Sequence, residues 1–128
     1  MCGISGYLSL DAAEPADLDA VRRMNAAQTH RGPDAEGLWS DGPCALGHRH
    51  LSIIDLSPEA NQPMTNEDGS VAVVVNGEIY NFAALREELV ARGHTFRSRS
   101  DSEVVAHLYE EEGEIGRASC RERVSSPV

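Results

Sequence analysis

The chain has 128 residues, with 11 basic and 21 acidic side chains and a formal net charge of −10. This length suits one modest domain, and the acidic balance argues against a nucleic-acid groove or an anionic membrane surface, because both need basic patches. No secretory leader and no apolar run near the about 20 residues of a membrane span are visible, so we expect a cytoplasmic protein without membrane partners.

The N-terminal segment predicts a strand followed by a helix. Gly3–Leu10 is apolar and rich in strand-forming residues, and turn residues follow it. Leu18, Val21 and Met24 recur at helical spacing, so we expect a helix from Asp17 onward.

The middle of the chain predicts a loop, a hairpin and a buried strand. Gly and Pro interrupt the pattern in the segment Arg31–Asp34, which is therefore expected to be a loop. Leu38–Trp39 and Ala45–Ile54 flank an Asp-Gly turn signal and predict a hairpin. The continuous β-branched run Val71–Val75 is typical of a strand buried on both faces.

Two helices are predicted in the C-terminal half. Phe82–Arg92 has an apolar stripe of Leu85, Leu89 and Val90, and Gly93 stands where a left-handed residue ends a helix.

A second helix and a short strand follow. His94–Ser98 can form the strand, and the Ser-x-x-Glu spacing of Ser100–Glu103 predicts a capping box for the helix. The acidic run Glu110–Glu112 is expected on its solvated face. The mixture of helices and strands predicts an α+β architecture.

The last 13 residues differ in composition from the rest. Gly116–Val128 contains three Arg and one Glu and does not continue the helical pattern. We therefore assign residues 1–115 to the domain. Residues 116–128 are interpreted as a tail outside it, with a cloning scar or disordered extension favoured over a natural basic tail.

Cys2 is the first candidate for chemistry. Removal of Met1 would leave a cysteine with both a thiol and a free α-amino group. α-Amino groups titrate at about 7.7–8.0 and thiols at about 8.5, so the amine can relay the thiol proton of an N-terminal nucleophile. Position alone is also compatible with a small buried residue at the start of a strand.

Asn76 and Gly77 follow the predicted buried strand. An amide side chain and an unhindered glycine N–H are the two donors that an oxyanion hole needs. The same pair is also the commonest turn of a β-hairpin.

Three further features each allow two interpretations. Arg31–Asp34 is either an ion-paired active-site loop or a rigid turn. His48 and His50 share one face of a strand, but no Cys or carboxylate lies at a useful spacing, so no metal is expected. Asp101 either interacts with a helix dipole or holds a substrate ammonium group.

Taken together, residues 1–112 resemble the N-terminal glutaminase half of glutamine-hydrolysing asparagine synthases, which are class II glutamine amidotransferases. The resemblance rests on an ordered set of motifs, of which each alone is weak: MCGI, HRGPD, GHRHLSIIDL, QPM, NGEIYN, LVARGHTF and SDSEV. Sister amidotransferases look different at RGPD and NGEIYN.

The resemblance implies that Cys2 attacks the side-chain amide of L-glutamine and forms a thioester, releasing ammonia. Asn76 and Gly77 would hold the oxyanion, and Glu78 and Asp101 would bind the α-ammonium group. The backbone of four consecutive residues would line the pocket: Leu51, Ser52, Ile53 and Ile54.

Two other positions complete the implied site. Arg31 would support the loop that carries Cys2. His50 stands where the family usually has an arginine for the glutamine α-carboxylate, and a neutral imidazole cannot offer a bidentate fork. Arg49 should point to the opposite face of the strand and cannot replace it.

The implied fold is the αββα sandwich of N-terminal-nucleophile hydrolases, with only its first part present. No cofactor is expected here, because ATP and Mg²⁺ would belong to a synthetase domain that the sequence lacks. The implied partners are L-glutamine and a synthetase domain or subunit that accepts ammonia, and a homodimer stays open. The alternative is an inactive fragment that binds glutamine or a partner subunit without turnover.

Overall fold

The computed structural model describes residues 1–51 and 57–113. These residues form two units. The first consists of residues 1–51, 61–63 and 74–77, and the second of residues 57–60, 64–73 and 78–113.

The first unit contains a three-stranded antiparallel sheet. Its strands are β1 (Gly3–Leu8), β2 (Ala35–Asp41) and β3 (Cys44–His50), and β3 is the central one. Gly42, with φ +51°, begins the tight turn between β2 and β3. The predicted hairpin is thus confirmed as far as His50, and its extension to Ile54 falls on residues 52–56, outside the described residues.

Helix α1 (Leu18–Ala27) packs against this sheet. Its predicted start is confirmed, because the Asp17 carboxylate accepts a hydrogen bond of 2.9 Å from the Ala20 N–H as an N-cap. Val21 and Asn25, four residues apart, form the buried face. Met24 is 38% exposed although it fits the helical spacing.

A buried amide anchors α1 to all three strands. The Asn25 side chain accepts a hydrogen bond of 2.8 Å from the Ser5 hydroxyl, and its NH₂ group donates to the carbonyl oxygens of Gly37 and His48 at 3.1 and 3.5 Å. A Cβ on Gly47 would overlap this amide, so glycine is required for the close approach of helix and sheet.

The second unit has a two-stranded antiparallel ribbon of β4 (Met64–Thr65) and β5 (Ala72–Val73). The prediction of a longer, fully buried strand at Val71–Val75 is wrong, because its two regular residues are only half-buried. Side chains bind the amides at both ends instead. The Val71 N–H donates to Asn66 at 3.0 Å, and the Val75 N–H donates to Gln62 at 2.5 Å.

Helix α2 (Phe82–Ala91) and helix α3 (residues 103–113) provide most of the apolar core of this unit. The core consists of Ile79, Leu85, Leu89, Val104 and Leu108.

The predicted C-terminal end of α2 is confirmed, since Gly93 has φ +101° just after the helix. Val90 is 52% exposed and does not join the predicted stripe. The physical reason is that Val90 is five residues from Leu85, which turns it about 140° around the helix axis.

His94–Ser98 is not a strand, contrary to the prediction. Glu103 takes the place of a strand partner, because its carboxylate accepts hydrogen bonds from the N–H groups of Arg97 and Ser98 at 2.7 and 2.8 Å. The same contacts prevent the predicted capping box, in which Glu103 would bind the N–H of Ser100. Helix α3 begins at Glu103 itself.

In the described residues, antiparallel strands and three α-helices confirm the predicted α+β class. Within residues 1–51 and 57–113, every helix is too short or too polar to cross a membrane.

Candidate functional site

Cys2 lies immediately before β1, beside the end of β3. The pairing of Gly3 with Arg49 brings its side chain to Leu51, 49 residues away in the sequence. The Leu51 N–H donates to the Cys2 Sγ at 3.3 Å, and the thiol faces the Leu51 carbonyl oxygen at 3.9 Å. This N–H fixes the position of the sulfur at the end of β3.

The Arg31–Asp34 loop is held against the ends of both strands. The Arg31 Nε donates to the Cys2 carbonyl oxygen at 3.3 Å. The Asp34 N–H donates to the His50 carbonyl oxygen at 3.0 Å. Arg31 therefore contacts the backbone of the candidate nucleophile, as a supporting residue would.

Arg49 and His50 point to opposite sides of β3, as predicted. Arg49 donates to the Gly32 carbonyl oxygen at 2.9 Å, and its guanidinium lies 3.7 Å from the Glu36 carboxylate. His50 is buried on the other side, in a group with Cys2. The arginine is thus committed to the loop and does not take the position of the family's carboxylate-binding arginine.

Cys2, His48 and His50 form one group, with the sulfur and one nitrogen of each ring within 4.8 Å of one another. A thiolate and two imidazoles are ligands that Zn²⁺ accepts, so these residues could hold a metal ion. The spacing of the histidines in the sequence did not predict that Cys2 lies beside them, because only the pairing of β1 with β3 brings the three residues together.

His48 is fully buried and its pKa is lowered to about 4. Desolvation is the main cause, the hydrogen bond to the Val75 carbonyl opposes it, and His50 adds repulsion. His48 is therefore neutral at pH 7.

Asn76 and Gly77 are exposed and directly follow a residue that is held on both sides. The Val75 carbonyl oxygen lies 3.3 Å from the His48 Nε2, and its N–H donates to the Gln62 Oε1 at 2.5 Å. Sequence reasoning gave Gln62 no role, although it begins one of the motifs.

The Asn-Gly pair is not the turn of a type I′ hairpin. Such a turn needs positive φ at both central residues. In the described part of the chain, positive φ occurs only at four other glycines: Gly42, Gly69, Gly93 and Gly113. The alternative interpretation of Asn76 and Gly77 is therefore removed.

Glu78 and Asp101 belong to the second unit. The buried Asp101 carboxylate accepts a hydrogen bond of 2.7 Å from the Ile79 N–H, so it lies next to the segment that carries Glu78. Glu78 is exposed, and its contact with the Tyr80 hydroxyl raises the pKa of that tyrosine. The structure thus places the Asp101 carboxylate against the backbone of the residue that follows Glu78.

Three predicted pocket residues, Ser52, Ile53 and Ile54, lie outside the described residues. Leu51, the first of the predicted run, contacts Cys2 as described above.

Comparison with known proteins agrees with the motif pattern. The family described as "Glutamine amidotransferase domain" matches residues 1–122. Asparagine synthetase [glutamine-hydrolyzing] of Sandersonia aurantiaca is 48% identical over 114 residues, which are 89% of this chain and 21% of that protein.

Other relatives give the same result. Asparagine synthetase [glutamine-hydrolyzing] 3 of Arabidopsis thaliana is 46% identical over 89% of this chain and 19% of its own length. A probable asparagine synthetase of Dictyostelium discoideum is 45% identical over 89% of this chain and 20% of its own. The chain therefore spans about a fifth of the length of these relatives.

Proposed function

This chain belongs to the glutamine amidotransferase domain family, and from that premise we propose that it hydrolyses L-glutamine to glutamate and ammonia at Cys2. The observation that carries the proposal is the environment of Cys2, whose sulfur accepts the Leu51 N–H at 3.3 Å while Arg31 binds its carbonyl oxygen. Both contacts position a thiol beside the chain terminus.

The first half of the reaction forms a thioester. Removal of Met1 frees the α-amine of Cys2, which takes the thiol proton. The sulfur then attacks the side-chain amide carbon of glutamine, and the carbonyl π electrons move onto oxygen. The amide NH₂ of Asn76 and the N–H of Gly77 would bind this oxyanion. Collapse of the adduct expels ammonia, which takes the proton from the α-ammonium group.

The second half releases the product. Water gives a proton to the α-amine and adds to the thioester carbonyl, and the adduct expels the sulfur of Cys2, which regains its proton. The sum is glutamine plus water to glutamate plus ammonia.

Substrate binding would use charges of opposite sign at the two ends of the amino acid. Glu78 and Asp101 would attract the α-ammonium group. His50 and the backbone from Leu51 to Ile54 would line the pocket on the carboxylate side. The hydrogen bond from Ile79 fixes the Asp101 carboxylate without neutralising it.

The ammonia would be consumed in asparagine synthesis or a related amidotransfer, as the names of the relatives suggest. The acceptor would be a synthetase domain or subunit, and ATP and Mg²⁺ would act there rather than on this chain. We place this chemistry in the cytoplasm, either in one copy or in a homodimer.

The test combines ammonia release with labelling by a diazo-ketone glutamine analogue, which alkylates an assembled cysteine nucleophile. We expect turnover and one adduct at Cys2 after loss of Met1, and neither in Cys2→Ala. Cys44→Ala is the matched control, because both cysteines are half-buried thiols of the same unit. A processed wild-type chain without adduct and without ammonia release would contradict the proposal.

A second candidate is an inactive fragment that binds glutamine or a partner subunit without turnover, and His50 in place of the family's usual arginine favours the loss of activity. The α-carboxylate loses its usual cationic partner there, and Arg49 is bound to Gly32 and Glu36. Calorimetry of glutamine binding separates the candidates, since heat of binding with no ammonia release supports the second.

A further inference from the structure

The second unit contains a cluster of four metal-ligating side chains that the proposed reaction does not use: Glu67, His94, His107 and Glu110. Three separate segments supply them. Glu67 follows β4, His94 follows the glycine that ends α2, and the other two lie three residues apart on α3. Residues at that spacing share one helix face.

Four distances within the cluster are close to those of ligands around one ion, and all four ligand atoms lie within 4.8 Å of one another. The His94 Nδ1 lies 3.2 Å from the Glu67 Oε1, 3.2 Å from the His107 Nδ1 and 3.6 Å from the Glu110 Oε2. The His107 Nδ1 lies 3.3 Å from the same Glu67 oxygen. Bonds of about 2.0–2.2 Å to Zn²⁺ separate the ligand atoms of a tetrahedral site by roughly 3.3–3.6 Å.

The opposite nitrogens of the two imidazoles face carboxylates. The His94 Nε2 is 2.8 Å from the Glu111 Oε1, and the His107 Nε2 is 3.6 Å from the Glu103 Oε1. The Glu111 carboxylate is placed to accept a proton from the His94 Nε2, as in the carboxylate–histidine–zinc arrangement, whereas the His107 Nε2 has no hydrogen-bond partner among the described residues. The Nδ1 atoms of His94 and His107 face each other at 3.2 Å.

The close approach of two imidazole nitrogens and two carboxylates favours a bound cation. A single proton between the two imidazoles would satisfy one contact and leave the cluster, with its two carboxylates, at a charge of −1. A divalent ion would neutralise both carboxylates and accept all four lone pairs. The Glu67 Oε1 also accepts the Thr95 N–H at 2.7 Å, which holds this carboxylate in place beside the two histidines.

The burial pattern also fits a metal site with an entry path. The side chains of His94 and His107 are only 8% and 1% exposed, whereas those of Glu67 and Glu110 are 34% and 37% exposed. An ion can therefore reach the buried nitrogens through the two carboxylates at the surface.

We propose that Glu67, His94, His107 and Glu110 form a structural binding site for a divalent transition-metal ion, with Zn²⁺ as the best fit to the donor set. Two imidazole nitrogens and two carboxylate oxygens in a closed tetrahedron leave no open position for a substrate, so the ion ties α3 to the segments that follow β4 and α2. The proposal does not depend on the glutaminase reaction.

The test is equilibrium dialysis of the full chain against Zn²⁺ at pH 7, with metal analysis of the protein. Cys2→Ala is measured in parallel, because it removes the sulfur of the other group that could hold an ion. We expect Cys2→Ala to retain one zinc ion per chain. Absence of zinc from this variant would overturn the proposal.

Two variants at exposed positions test the site without disturbing the core, so a change in zinc affinity does not reflect loss of the fold. Glu110→Gln removes a proposed ligand from the surface, and Glu87→Gln makes the same change at an exposed position on α2. We expect zinc affinity to fall at least about tenfold in the first and to stay unchanged in the second. Equal affinities would contradict the proposal.

The buried ligand is tested in the same way. His107→Gln should lose zinc while His30→Gln, an exposed histidine of the first unit, retains it. Co²⁺ bound to Cys2→Ala reports the geometry. We expect the intense visible bands of tetrahedral cobalt, and the weak bands of an octahedral ion would contradict the assignment.

Discussion

The Nε2 of His48 lies 3.3 Å from the carbonyl oxygen of Val75. Because a carbonyl oxygen only accepts hydrogen bonds, the proton of neutral His48 is on Nε2. Its Nδ1 is buried without a hydrogen-bond partner among the described residues. Protonation would place a charge at this buried, unpartnered position, so desolvation lowers the pKa of His48 and repulsion from His50 adds to the effect.

The lowered pKa of His48 predicts that the folded protein loses stability between pH 6.5, the pKa of an unperturbed histidine, and about pH 4, the pKa of His48 in the fold. The stability that His48 contributes is present above pH 6.5 and is lost as the pH falls toward 4, since the unfolded chain binds the proton first. The loss should be on the order of 3 kcal/mol. Urea unfolding across this pH range should show a smaller loss in His48→Gln, while His30→Gln keeps the wild-type slope. An unchanged slope in His48→Gln would refute the assignment.

We expect removal of the Asn25 side-chain amide to destabilise the fold strongly. Asn25→Ala leaves the Ser5 hydroxyl without its acceptor and the Gly37 carbonyl without its donor at a fully buried position. We expect the free energy of unfolding to fall by about 1–3 kcal/mol. Met24→Ala, on the exposed side of the same helix, should change it by less than about 0.5 kcal/mol. Urea denaturation measures both, and equal effects would contradict this role of the amide.

We expect the substitution His50→Arg to raise the affinity for glutamine. His50→Arg would supply a bidentate cation for the α-carboxylate, which is worth about 1.5–3 kcal/mol, so the KM for glutamine should fall about tenfold or more. Steady-state ammonia release measures this change. His30→Arg adds the same charge at an exposed position and should leave KM unchanged. A KM that does not move in His50→Arg would show that this position does not bind the carboxylate.

Two substitutions of Asp101 separate the effect of its negative charge on glutamine binding from the effect of its hydrogen bond on stability. Asp101→Asn keeps an oxygen that can accept the Ile79 N–H but removes the negative charge. We expect the thermal midpoint to change little and the KM for glutamine to rise about tenfold. Asp101→Ala should lower the thermal midpoint as well, because the Ile79 N–H then loses its acceptor. A drop in stability without a change in KM in Asp101→Asn would leave the residue with a structural role only.

Local signals in the sequence were sufficient for three element boundaries. The start of α1 at Asp17, the turn at Gly42 and the end of α2 before Gly93 all depend on residues within one or two turns of backbone. Such signals act through cap hydrogen bonds and allowed φ values, which the chain carries wherever it is placed. The ordered motifs also predicted the family, which the family match over residues 1–122 confirms.

Only the tertiary structure decided where side chains from distant segments meet. Strand register brings Cys2 to Leu51 and to His48, and no spacing along the chain encodes that register. The carboxylate of Glu103 removed a predicted strand by binding the amides of Arg97 and Ser98 itself. Segments compete for hydrogen bonds through packing, and a buried amide binds whichever acceptor the fold places nearest.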